Sequence, residues 1–152
     1  MPQDKKGCDR LKWKGVPVLN KHLLLKAVKE NLDMAGPGEW KTILWSVFSD
    51  GSYTIRVSFI PEQTQSRSVE KNGTMKKDRF ARLCAALAPE WKINLYSCAC
   101  DGAAWQFEQY SPEGTVVKST GELRAIFGNE VLEQIAALLP GKTFVRDQTG
   151  RF

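Results

Sequence analysis

Apolar positions recur along this chain at two spacings, three to four residues in some stretches and two in others, and the switches between them set the expected elements. Over residues 21–33, Leu24, Leu25, Val28 and Leu32 fall on one stripe at helical spacing. Lysines occupy the rest of the cylinder, Asn20 stands at the capping position, and Gly36-Pro37-Gly38 punctuates the end, so a first helix is expected here. Alternation then tightens to two. Asp50-Gly51 lies between two runs of strand-forming residues, the strongest short-range hairpin signal. A two-residue turn pairs Phe48 with Tyr53, Ser46 with Ile55, Leu44 with Val57 and Thr42 with Phe59. That register puts Leu44, Phe48, Tyr53, Ile55, Val57 and Phe59 on the core side. Lys41, Ile43, Trp45, Val47, Thr54, Arg56 and Ser58 take the other side, with Trp45 opposite Arg56 at cation–π range.

The same pattern comes round again. Residues 39–61 and 90–112 superpose at a constant offset of 51 without a gap, sharing Glu39/Glu90, Trp40/Trp91, Lys41/Lys92, Leu44/Leu95, Ser46/Ser97, Asp50/Asp101, Gly51/Gly102 and Pro61/Pro112. Between the copies, 61–74 is polar and punctuated and reads as a long structureless connection. A second helix is expected over 75–87, with Phe80, Leu83, Cys84 and Leu87 on its apolar stripe and Pro89 closing it. The second hairpin slips phase after Gly102. A three-residue loop with a bulge returns Trp105 and Phe107 to the inner face; a two-residue loop pairs Cys98 with Trp105 and Tyr96 with Phe107 on the other. Both remain open at this level. Further on, 115–118 reads as a short strand, and Ser119 with Glu122 has capping-box spacing for a short helix closing at Gly128. Asn129 caps a helix striped by Leu132, Ile135, Ala136 and Leu139 and stopped by Pro140, and the tail from 141 is expected to fray.

The resulting order, α-ββ-α-ββ-α, predicts an α+β fold: a duplicated α-β-β unit plus a C-terminal helix, with helices packed on one face of a four-stranded, mainly antiparallel sheet. One domain is expected over 1–152. Its parts are a basic arm at 1–19, a first αββ unit at 20–61, a second at 75–112 and a helical segment at 119–139. A chain of 152 residues with 42% hydrophobic content holds a core without disulfide or metal staples. No apolar run approaches the roughly 20 residues needed to cross a bilayer, and no apolar stretch follows the early lysines. A cytoplasmic protein without membrane partners is the expectation.

Charge is unevenly placed. Residues 1–29 hold eight Lys/Arg against two Asp, whereas the rest of the chain holds fourteen against fifteen acidic residues. The basic arm (Lys5, Lys6, Arg10, Lys12, Lys14) suits an acidic protein surface or a nucleic acid, or is simply a solvated leader. Cys8, Cys84, Cys98 and Cys100 include no C-x-x-C pair and read as free thiols. The single histidine, His22, has no local partner for nucleophilic catalysis, and no phosphate-binding glycine loop or paired carboxylates are evident. No cofactor, metal or catalytic residue is expected. Binding is better supported. Trp45 and Arg56, with Ile43 and Val47 beside them, make an apolar patch with a cationic element of the kind that dominates interfaces. Either that patch is solvent-facing, or the third helix or the N-terminal segment covers it.

The stretch from 21 to 112 resembles the YezG-like immunity, or antitoxin, proteins of bacterial toxin loci. The resemblance is carried by Glu39-Trp40, Leu44, Gly51, Tyr53, Phe59, Phe80, Leu83, Leu87, Trp91, Leu95, Gly102 and Tyr110. It implies a non-catalytic inhibitor that sequesters a cognate protein toxin or effector; the net positive charge then implies a partner with an acidic surface. The alternative expectation is a phage- or mobile-element-encoded inhibitor of a host defence nuclease, engaging an effector or nucleic acid through the basic arm. A small enzyme using Cys98 or Cys100 is the third.

Overall fold

A computed structural model describes residues 21–33, 36–93 and 102–150. Among them the elements run β1 (Leu23–Asn31), β2 (Trp40–Phe48), β3 (Ser52–Glu62), β4 (Gln65–Thr74), α1 (Lys77–Leu87), β5 (Ala103–Tyr110), β6 (Val116–Ser119), α2 (Glu130–Leu138) and α3 (Lys142–Thr149). The strands form one sheet in the order β4-β3-β2-β1-β5-β6, antiparallel throughout. The class is α+β, as the alternation of spacings predicts. The sheet has six strands rather than four: β1 and β4 are unexpected, β6 is the short strand read at 115–118, and the strand expected ahead of Asp101 lies largely outside the described residues.

β1 replaces the expected first helix. Its apolar residues satisfy both spacings: Leu24, Leu25, Val28 and Leu32 make a helical stripe, while Leu25 and Ala27 alternate. The strand wins because β1 pairs with β2 on one edge and β5 on the other. A lone helix of that length gains little from propensity, whereas a central strand has its backbone satisfied on both sides and buries Leu25 and Ala27 completely. β4 takes most of the stretch expected to be structureless. It is an edge strand, so one flank and one face stay wet, and Val69 is its one strongly apolar residue, opposite Val57. The connecting turn places Gln63 at φ 57° where Gly or Asn is usual, so no Asn-Gly or Asp-Gly signature announces it.

The β2–β3 hairpin is where expected but turned over. Gly51 N–H donates to the Phe48 carbonyl at 2.9 Å with Gly51 at φ 89°. Neither Ser49 nor Asp50 has positive φ, so this is a three-residue loop with its left-handed residue last, not a two-residue turn. Val47 therefore pairs with Tyr53, Trp45 with Ile55, Ile43 with Val57 and Leu44 with Arg56. One residue of slip exchanges the faces of β2. Leu44 and Phe48, expected inside, lie on the open side; Ile43, Trp45 and Val47 are 2% exposed or less.

The duplicated pattern does not fold as a duplicated unit. The first copy supplies β2 and β3. In the second, Trp91 to Ile93 lie outside any strand, and 94–101 fall outside the described residues. β5 has β1 on one edge, while β6, Leu123 and Thr120 occupy the other. Trp105 and Phe107 turn inward.

All three described helices pack on one face, where residues from every helix join the sheet's inner side chains in one core. α1 and α2 lie where the helical stripes place them. α1 is rotated slightly, burying Leu83, Ala86 and Leu87 and leaving Cys84 exposed. The capping-box spacing at 119–122 starts no helix, because Ser119 ends β6 and Leu123 bridges to Trp105. The expected frayed tail is instead α3, anchored by fully buried Val145. No basic residue sits in the last turn of α1 or α2, and distant cations take that role. Lys118 donates to the carbonyls of Ala88 (3.2 Å) and Pro89 (2.7 Å) past α1; Arg79 donates to those of Ala137, Leu138 and Leu139 (each 3.1 Å) at the end of α2.

An aromatic stack centres the core. Trp45 lies 5.8 Å from Trp105 at 14°, and Trp105 lies 5.5 Å from Phe107 at 4°. Trp45 Nε1 donates to the Pro140 carbonyl at 3.1 Å, satisfying its buried polar atom and tying the α2–α3 corner to the sheet. Gly141 follows at φ 78°, and a Cβ there would collide with Ile55 Cδ1, so only glycine lets the corner come this close.

Candidate functional site

The register sorts the sheet into rows of neighbouring side chains. On the helix-covered face one row runs Lys71–Ile55–Trp45–Ala27–Phe107. On the open face, which none of the described helices covers, the central row runs Glu70–Arg56–Leu44–Val28–Gln106. The row beside it is Asn72–Thr54–Ser46–Lys26–Glu108–Ser119, polar from edge to edge. The centre of the open face is therefore an apolar pair, Leu44 and Val28, with Arg56 beside it and polar residues around. Arg56 Nε and Nη2 both donate to Glu70 Oε2, at 3.2 and 2.9 Å, with both side chains well exposed. Such a pair contributes little to folding and is available for exchange with a partner.

Of the four residues expected at a partner surface, the structure leaves only Arg56 there. Ile43, Trp45 and Val47 are core, covered from the side of α2 and α3, because the three-residue turn faces them inward. The covered alternative, with the helical segment lying over them, matches their placement. Leu44, Val28 and Phe48 occupy the open positions instead; Phe48 carries the Lys21 ammonium 4.7 Å above its ring. Lys5, Lys6, Arg10, Lys12 and Lys14 lie outside the described residues, as do Cys8, Cys98 and Cys100.

A second feature was not legible in the sequence. Where β3 and β4 meet the starts of α1 and α3, a cleft of about 580 Å³ is lined by Tyr53, Lys71, Thr74, Met75, Lys76, Arg79 and residues 140–144, with Asp147. Lys71 arrives from the covered-face row, Lys76 immediately precedes α1, and Lys142 opens α3. Neither helix start has a side-chain cap. Only the Lys76-Lys77 doublet hinted at positive charge here; the convergence of residues 71, 76 and 142 is tertiary.

The remaining titratable groups define no reaction centre. Among the described residues, no group of three or more His, Cys, Asp and Glu is placed to hold a metal ion. His22 N–H donates to Ser49 Oγ at 3.1 Å and its carbonyl accepts from Ser49 N–H, so it helps close the β1–β2 end of the sheet. Partial burial of the Cys84 thiol pushes its pKa up, the opposite of nucleophile activation. The Asp50 carboxyl is opposed by burial but held below its ordinary value by the hydroxyl and N–H of Ser52, with help from the Lys21 charge. It stiffens the turn.

No protein-family model matches the chain, and no curated protein matches it. Among the described residues, no helix is long and apolar enough to cross a membrane.

Proposed function

We propose that this protein is a non-catalytic, immunity-type inhibitor that binds and occludes a protein toxin or effector. The reading rests on one observation: the six-stranded sheet carries its helices on one face and presents Leu44, Val28 and Arg56 at the centre of the other. An apolar centre with an arginine inside a polar surround is the layout of a binding hot spot with its rim. The resemblance to YezG-like immunity proteins points the same way. The open face holds Lys26 and Arg56 with Glu30, Glu70 and Glu108, so its charges are mixed, and the chain's positive excess lies in residues 1–29. Affinity capture from the source cell, with wild type and Leu44→Glu/Arg56→Glu in parallel, tests the proposal. A single partner, retained by wild type and reduced more than tenfold in the variant at an unchanged circular dichroism spectrum, is the expected result. Equal capture by both proteins, or a captured partner whose activity a stoichiometric excess leaves intact, overturns it.

The second reading, a phage- or mobile-element-encoded inhibitor of a host defence nuclease engaging an effector or nucleic acid through the basic arm, draws support from the lysines of that arm and of the cleft, which suit an acidic or nucleic-acid-bound surface of the target. Gene neighbourhood separates the two: a toxin gene immediately upstream favours immunity, and a phage operon favours the inhibitor of defence.

A further inference from the structure

The geometry points to a ligand site in the cleft between the starts of α1 and α3, for a phosphomonoester that carries a flat ring, a ligand of the nucleotide class. This inference is independent of the docking role assigned to the open face, which lies on the other side of the sheet.

Charge supplies the first argument. Lys71, Lys76 and Lys142 come from three different elements to one cleft, and among the described residues none of them makes an ion pair. Asp147 is the only acidic residue in the lining. Arg79 also lines the cleft, but its guanidinium is engaged with the carbonyls of 137–139, so it shapes the wall while the lysines supply free charge. Three lysines lining one cleft raise its positive potential, which a bound anion offsets.

The backbone adds to this. α1 is eleven residues long and α3 eight, and both start at the cleft without a side-chain cap. Lys142, Thr143 and Phe144 are the first turn of α3, where N–H groups lack intrahelical acceptors and favour a phosphate. Gly141 permits this approach: its positive φ and its missing Cβ seat the start of α3 directly against Ile55.

The remaining walls select for more than a bare anion. Tyr53, Met75, Pro140 and Phe144 are apolar or aromatic and half-buried or buried. The Tyr53 ring lies across Gly73, where any side chain would displace it. A volume of about 580 Å³ falls within the range of small-ligand sites and exceeds what phosphate alone would fill. A lining that combines lysines with two aromatic rings suits a phosphate joined to a planar ring.

Calorimetric titration of the full-length protein with the four nucleoside 5′-monophosphates, the matching nucleosides and inorganic phosphate tests the site. At least one monophosphate should bind below millimolar, tighter than both its nucleoside and inorganic phosphate. Lys71→Glu/Lys142→Glu should weaken it at least tenfold, and Lys71→Gln/Lys142→Gln by less. Lys5→Glu/Lys6→Glu in the basic arm and Lys26→Glu on the open face should leave it unchanged. Lys71 and Lys142 are exposed and Lys26 is half-buried, so circular dichroism of these variants should match wild type. Absence of binding by all four monophosphates, equal binding by the cleft variants, or loss of binding in the arm variant instead would overturn the inference.

Discussion

The two faces of the β2–β3 hairpin differ less in the size of their side chains than in what lies over them. One carries Ile43, Trp45, Val47, Ile55, Val57 and Phe59, all buried beneath the helices; the other carries Leu44, Phe48 and Arg56 with short polar residues and no described helix above. Read as strings, both faces of β2 pass for a core, since Leu44 and Phe48 are as apolar as Ile43 and Val47. The difference is made in the loop. A third turn residue, with Gly51 left-handed, slips the register by one and decides which set meets Pro140 and which meets solvent.

Removing Ser46 from β2 attacks that comparison directly. With the three-residue turn and the Val47–Tyr53 pair kept, it moves Trp45 and Ile43 one step towards the turn and onto the open face, setting the register fixed at the turn against the packing of the β2 core residues. The expected loss of stability exceeds that of any single substitution in the hairpin, read as urea unfolding; a variant as stable as wild type would show that the register set at the turn does not choose the face. Trp45→Ala comes next. It deletes one end of an aromatic stack and orphans the Pro140 carbonyl, for an expected cost of about 3–5 kcal/mol in the same measurement. A cost under about 1 kcal/mol would return Trp45 to the surface.

Smaller effects sharpen the picture of the turn and the open face. Asp50 has a folded-state pKa below its unfolded value, so its stabilisation is present above the ordinary carboxylate pKa and is lost as pH falls through the lower folded value. Asp50→Asn should therefore be less stable than wild type near neutrality, and the gap should close in acid. A gap that is constant across the titration would remove the charge from the account. Arg56→Ala should cost least, within about 1 kcal/mol, because its pair with Glu70 is exposed. If it unfolds the protein, the open face is structural and not a surface for exchange.

A second pair of regions shows how far pattern reading reaches. Residues 39–61 and 90–112 share their tryptophan, Asp-Gly and proline spacing, yet the first makes a hairpin at the heart of the sheet and the second donates β5 beside β1. The shared spacing encodes strand-forming segments and turns; it does not encode which edge each strand finds. Much the same holds for β1, whose apolar residues fit either period, and for β4, whose polar sequence is tolerable only because it is an edge.

By itself the sequence determined the α+β class, the spans of α1 and α2 with their proline stops, the place of the β2–β3 turn, and the short strand after Gly114. These follow from local spacing and turn chemistry, which act over a few residues. Tertiary structure alone decided that 23–31 is a strand, that Trp45 lies inside and Leu44 outside, and that Lys71, Lys76 and Lys142 share one cleft. Each depends on contacts between segments far apart in the chain. A period-two pattern says that a face is apolar, but only the packed neighbours say which face is covered.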